Sequence, residues 1–276
     1  MQNNDMKELI SQFKSSILKF YQNKENEENE ENKENEENEE IDPIILLDNN
    51  LLRFLIARDL DIDKALIMFI NVNTWRKNIP ISDINISEIK KIKKLFPSYW
   101  LTLDKCGHPV YIECPGIINM KNLMKITTIE SMTNIYIQNS EYMFTHLYKS
   151  LSNESNLNIT QTLSIIDLKG VSFRNLSKEV YVYIKNIINI GNTYYPETIY
   201  KMFIINTPFI FNTLWSLIKP LIPTRTREKI HILKTGQENI LYEFIDRDKL
   251  PENLDFTNID NSNNIYEQNY LDWLER

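Results

Sequence analysis

The chain has 276 residues and a mass of 32.9 kDa, enough for one sizeable core or for a main domain with a satellite. Its 42% hydrophobic and 25% charged residues are ordinary globular values, and five glycines leave little material for a glycine-rich phosphate loop, which disfavours a nucleotide site. The net charge of −7 is concentrated in residues 22–42, where ten Glu and Asp42 face only Lys24 and Lys33 for a local −9; −7 less −9 leaves +2, without the basic, aromatic-interleaved stripe that nucleic acid requires.

Taken in chain order, Met6, Leu9, Ile10, Phe13, Ile17 and Phe20 recur at helical spacing and predict an amphipathic helix over residues 1–21. Docking on the protein body is its commoner fate, and lying on a membrane is the other. The Glu/Asn run of residues 22–42 repels itself and buries little, so it reads as a disordered linker or a frayed, solvated helix. An acidic interaction segment is the functional alternative.

Residues 43–80 predict two successive helices, with Pro43 near the start of the first, Asp61 capping the second and Pro80 after its end. From residue 81 on, helical patterns alternate with short β-rich runs: "PVYIE" at 109–113, "TLSIID" at 162–167, "KMFIIN" at 201–206 and "KIHIL" at 229–233. That alternation indicates an α/β arrangement of helix-covered strands. Residues 256–276 read as a C-terminal tail.

No run of eighteen apolar residues occurs and the chain begins polar, so a cytoplasmic protein, or one peripheral on a membrane, is expected. Cys106 and Cys114 lie eight positions apart across a turn and strand. Extension at about 3.3 Å per residue carries them out of bonding range, so free thiols are expected. G-x-S-x-G, P-loop, G-x-G-x-x-G and H-E-x-x-H strings are all missing, and His108, His146 and His231 lack ligand spacing. Asp167 in "DLKG" reads as a carboxylate bonding backbone amides at a turn rather than a catalytic group. Neither an enzyme, a metal site nor a cofactor is expected.

The stretch "TPFIFNTLWSLIKPLIP", residues 207–223, is helical in spacing yet apolar on nearly every side, through Phe209, Phe211, Leu214, Trp215, Ile218 and Leu221 among others. It is too short to span a bilayer. Such a helix is either buried core or has one face on a lipid-filled cavity.

Several motifs in matching order carry a family resemblance: "LLRFLIARDLDIDKALIMFINVNTWRK", "DKCGHPVYIECPG", "SIIDLKGVS" and "NTYYPETIYKMFIINTPFIFNTLWSLIKPLIPTRTREKIHIL". Over residues 48–254 the chain resembles the CRAL-TRIO lipid-binding proteins, and within them the phosphatidylinositol/phosphatidylcholine transfer branch. The resemblance implies a small all-helical N-terminal lobe over residues 43–80. A mixed, mostly parallel sheet covered by helices follows over residues 81–255, with a deep apolar pocket closed by a mobile gate helix at residues 207–223.

It also implies site residues. Arg58, Glu197 and Lys229 match positions that meet an inositol phosphate, and Thr226, one turn before Lys229, offers a hydroxyl to the same group. From spacing alone, Glu197 with Lys229 reads equally well as a structural ion pair. Trp100, Tyr111, Thr162 and Ser164 match a choline-headgroup set, with Trp100 where tyrosine is familiar and Tyr142 only near the position of a further tyrosine. Asp59 puts a negative charge beside Arg58, and Tyr200 stands where glycine often supplies hinge freedom.

The function implied is a monomeric carrier whose ligand is phosphatidylinositol, with phosphatidylcholine as a second ligand. It would touch membranes transiently or present lipid to a phosphoinositide kinase. The alternatives are a carrier of a compact hydrophobe such as a tocopherol, retinoid or sterol, or a regulatory scaffold that transfers little.

Overall fold

A computed structural model describes residues 3–30, 41–79, 86–173, 177–257, 259 and 263–275. It divides into two units, residues 1–79 and 80–276. The part of the acidic run at residues 31–40, with the expectation of disorder attached to it, lies outside the described residues.

In the first unit, helix α1 (Asn3–Glu30) packs with α2 (Asp48–Ala57) and α3 (Ile62–Lys77). Phe13, Ile17 and Tyr21 of α1 are buried, and Phe69 of α3 meets Phe13 and Phe54 edge to face, with ring centroids 6.2 and 5.5 Å apart. The amphipathic helix is thus docked. Its inward stripe ends on Tyr21 rather than on Phe20, which is exposed, because the Asn73 amide donates to the Tyr21 hydroxyl at 2.9 Å and fixes that turn inward. Asp61 caps α3 as expected, accepting from the Lys64 amide at 3.0 Å. The first helix of this pair begins at Asp48, five residues beyond Pro43, because the intervening segment is a turn held by Asp42, whose carboxylate accepts from Ile44 N and Arg76 Nε.

The second unit opens with α4 (Ile86–Leu95) and builds a five-stranded sheet in the order β1 (Ser98–Leu103), β2 (Pro109–Glu113), β3 (Thr162–Asp167), β4 (Ile199–Ile205) and β5 (Ile230–Ile232). β1 and β2 are antiparallel and the remaining pairs parallel. β2 and β3 match the predicted runs, whereas β1 is an addition: "SYWLTL" is buried toward its start and lacks the unbroken β-branched run that marks the others. Between β2 and β3 lie α5 (Met120–Leu123), α6 (Ile129–Tyr142), a π turn at Met143–Leu147 and α7 (Tyr148–Ser155); α8 (Lys178–Tyr194) joins β3 to β4. α9 (Phe211–Ile218) and α10 (Thr224–Glu228) join β4 to β5. α11 (Leu241–Phe244) and α12 (Ile265–Leu274) close the chain, so the segment read as a tail contains a docked helix.

Right-handed crossovers between strands that advance in one direction put their helices on one face of a sheet. The opposite face is covered by the segment after β5. There Tyr99, Val110, Ile112, Leu163, Ile165, Phe203 and Ile205 pack against Leu241, Ile245, Leu254 and Phe256 as a closed core. Asp167 behaves as read: it accepts from Lys169 N at 2.9 Å and from the Asn206 amide at 2.8 Å, where Gly170 (φ +91°) turns the chain. Cys106 and Cys114 are both free.

Replacing Phe69 with Ala removes the ring shared by α1 and α2, and should destabilise the first unit by about 3–5 kcal/mol. Asp61→Ala should cost only about 1 kcal/mol. Amide exchange of α1 and α3 reads both: a Phe69→Ala effect no larger than the cap effect would show that α1 is not anchored through this ring.

Candidate functional site

The crossover-covered face of the sheet is occupied quite differently from the core face. Strand register places Trp100, Tyr111, Ser164, Met202 and Ile230 in one row across it. Tyr111, Glu113, Ser164, Ile166, Tyr200, Met202 and Ile230 are only partly buried, and α8, with 17 residues and an apolar stripe, has no fully buried residue at all. An amphipathic helix over a sheet ordinarily buries that stripe against the strands. Here the space between them is incompletely filled.

A small pocket of about 20 Å³, room for about one water, lies between this face and α4, α6, α8 and α12. Ile92, Phe96, Met132 and Ile135 give it apolar walls, while Tyr111, Glu113, Tyr136, Tyr183 and Tyr270 bring polar groups. Burial pushes the Glu113 carboxyl up to about 7 and the Tyr136 phenol up to about 12.

α9 sits over the β4 end of the same face. Phe211 is buried with Leu168 and Ile204 and stacks on Trp215 at 5.9 Å, and Ile218 is buried as well. Leu214 and Leu221 are partly covered, whereas Leu217 is exposed and Phe209 is 92% exposed. The predicted helix over residues 207–223 is therefore shorter in fact, ending at Ile218 in a 3₁₀ turn, Lys219–Leu221, because Pro220 cannot continue it. Tyr200 stacks on His108 with centroids 4.0 Å apart, and His108 Nδ1 lies 2.9 Å from Asp104 Oδ2.

Near the starts of β4 and β5 the structure brings together two of the four predicted phosphate-site residues. Glu197, on the α8–β4 connection, receives a hydrogen bond of 2.7 Å from Lys229 Nζ, with side chains 13% and 23% exposed. Glu197 adopts φ +57°, a left-handed conformation that is strained for glutamate. Gln161 Nε2 donates to the carbonyls of Glu197 and Ile199, at 3.1 and 3.3 Å, and braces that turn. Arg225 Nε stands 3.9 Å from the other Glu197 oxygen, so the carboxylate has cations on both sides. Thr226 lies in α10, where its carbonyl accepts from Lys229 N. Arg58 belongs to the first unit, at the end of α2, and its guanidinium donates to Ala57 O at 2.9 Å. Arg225 was legible as a cation one turn before Lys229. Gln161 had no sequence signal.

Of the choline set, Trp100, Tyr111 and Ser164 share the row described above, with the Trp100 and Tyr111 rings 4.7 Å apart. Trp100 is 1% exposed, is flanked by Tyr142 as well, and donates from Nε1 to Asn139 at 3.2 Å. Thr162 is buried, its hydroxyl 2.9 Å from that of Tyr148 and 3.2 Å from Met143 Sδ. In this structure the indole face and the Thr162 hydroxyl are thus engaged within the protein.

A protein-family model described as the CRAL/TRIO domain matches residues 93–255. Sec14 cytosolic factor of Schizosaccharomyces pombe is 35% identical over 211 residues, 75% of this chain and 73% of that protein. Phosphatidylinositol/phosphatidylcholine transfer protein SFH12 of Arabidopsis thaliana is 33% identical over 206 residues, 73% of this chain but only 38% of its own length. The crystal structure of Sfh5 superposes with a TM-score of 0.64 at 18% identity, covering 100% of this chain and 97% of that one, a likeness of fold. With the sheet, its half-covered face and the family match in agreement, the chain belongs to the CRAL/TRIO domain family.

Proposed function

We propose that the second unit binds a phospholipid against the helix-covered face of the sheet and carries it between membranes, with phosphatidylinositol as the principal ligand. The observation that carries this reading is the asymmetry of the sheet: one face is closed by apolar packing, while the other, under a helix with no fully buried residue, is left open to an apolar guest. The naming of the Arabidopsis relative as a phosphatidylinositol/phosphatidylcholine transfer protein supports it.

The energetics favour exchange. Each acyl CH₂ left in water costs about 0.8 kcal/mol, so chains must pass from bilayer to protein with little exposure. One lipid entering as another leaves also avoids an empty apolar space. α9 is the movable element, since it is held on its inner side by Phe211 and Ile218 while Phe209 and Leu217 project outward, where a bilayer would accept them. Among the described residues no helix is long and apolar enough to cross a membrane.

At the rim, the inositol phosphate would take over Lys229 from Glu197, leaving the carboxylate to accept from inositol hydroxyls and Thr226 to donate to the phosphate. The closed ion pair is then the resting arrangement of the same groups. Both side chains are mostly buried, so a ligand that takes Lys229 must leave neither charge without a partner. Arg58 and the phosphoinositide kinase partner belong to this proposal as expectations from the family.

Purified protein should carry a co-purified phospholipid and move labelled phosphatidylinositol between vesicles; lack of both would overturn the reading. Lys229→Ala combined with Glu197→Ala should reduce phosphatidylinositol transfer about tenfold or more, the loss of one charge-assisted contact set, and phosphatidylcholine transfer much less. Equal losses would remove the headgroup assignment. Phe209→Asp with Leu217→Asp should weaken vesicle binding and slow transfer. Unchanged kinetics would show that α9 does not meet the bilayer.

A further inference from the structure

The segment that carries α9, from the end of β4 to the start of α10, is fastened differently at its two ends. At the start, Asn206 takes φ +52° and its amide donates to Asp167 Oδ1 at 2.8 Å, while the Thr207 hydroxyl donates to Leu233 O at 3.0 Å. Asp167 is fully buried at the end of β3, and Leu233, just after β5, bonds through its N–H to Ile204 O of β4. Phe211 then sinks against Leu168 and Ile204. The start of the segment is thereby tied to the sheet on both flanks of β4.

Strand β4 is held at its other end as well. Ile199 faces Thr162 and Lys201 faces Leu163, so Tyr200 is an extra, bulged residue. Its ring stacks on His108, whose Nδ1 meets Asp104 Oδ2, and the second oxygen of that carboxylate accepts from Cys106 N and His108 N at 2.8 Å each. A bulge clasped against a rigid turn is a poor pivot. Movement of α9 is therefore taken up after Ile205.

The far end is fastened to a helix instead. α9 stops at Ile218, and the 3₁₀ turn Lys219–Leu221 is held to α8 by a hydrogen bond of 3.2 Å from Asn192 Nδ2 to Leu221 O. α8 has no fully buried residue, so this end hangs on an element that is itself loosely seated. Ile218 and Ile222, each 8% exposed, add apolar contact, which is non-directional and can be exchanged for contact with lipid. The geometry points to Asn192 as the latch of α9: a positioning residue on α8 that fixes the far end of the segment through Leu221, so that α9 swings about Asn206 and Thr207 when the bond is released.

The inference rests on the lipid-carrier reading and deepens it. A guest that enters beneath α8 displaces that helix or α9, and Asn192 lies on the join between them, so the bond responds to occupancy. One net hydrogen bond shifts an opening equilibrium about fivefold. That is enough to favour the closed arrangement, and small enough for bilayer contact at Phe209 and Leu217, both exposed, to outweigh.

The test combines amide exchange of the full chain with vesicle transfer of labelled phosphatidylinositol. In the unaltered protein the bonded amides of Lys219 and Ile222 should be less protected than those of Phe211 and Asn212. The reverse order overturns the swing, and it depends on no variant. Asn192→Ala should speed exchange at 219–222 about fivefold, leave β4 unchanged and quicken transfer. Asn192→Asp, of the same shape but without the donor, should act alike. Thr207→Val, which removes the hydroxyl at the anchored end, should speed exchange at 211–212 without quickening transfer. A purely structural Asn192 would instead loosen the whole segment and β4 together and slow transfer; that pattern overturns the latch, as does unchanged exchange at 219–222 in both Asn192 variants. If the unaltered protein transfers no lipid, the carrier reading has failed, and the exchange pattern by itself still decides the latch.

Discussion

A parallel sheet is stable only when both its faces leave water, and this chain covers its two faces by different means. The segment after β5 folds back over one face and closes it with aliphatic and aromatic side chains that are essentially fully buried. The crossover helices lie over the other. α8, with no fully buried residue, covers it incompletely, while Tyr111, Ser164, Met202 and Ile230 remain partly uncovered beneath. Everything assigned to function follows from that imbalance. A rigid, dry face gives the sheet its permanence, so the other can exchange contents without loss of the fold.

The rim groups obey the same economy of placement. Glu197 is held in a left-handed backbone conformation by Gln161, which bonds the carbonyls on either side of the turn, and its carboxylate is flanked by Lys229 and Arg225. Strain of this sort persists only where neighbours over-determine the geometry. It sets one acceptor between two cations, Lys229 at 2.7 Å and Arg225 at 3.9 Å.

The C-terminal helix enlarges the picture. α12 is fastened to β1 by Asn264, whose amide donates to the Trp100 and Leu101 carbonyls, and by the buried Lys93–Glu267 pair. Breaking such a pair on one side is strongly destabilising, because the remaining charge stays buried. The helix is consequently part of the pocket wall through Tyr270, in a segment beyond the matched family region, which ends at residue 255.

What the amino-acid order determined is whatever depends on neighbours along the chain. The alternation of helical and β-rich segments, the Asp61 cap, the turn at Asp167 and two complete strands, residues 109–113 and 162–167, were legible because capping and pleat periodicity are local. So was the pairing of Glu197 with Lys229 as one of two readings, since opposite charges in two motifs of a recognisable family invite it. The tertiary structure alone decided that Phe20 yields its place to Tyr21, that the Trp100 indole is enclosed, that Thr162 spends its hydroxyl on Tyr148, and that Glu113 and Tyr270, 157 positions apart, face one cavity. Those outcomes turn on which side chains fill the space between distant segments, and on which polar groups are left without a partner there, quantities that exist only once the chain has closed around them.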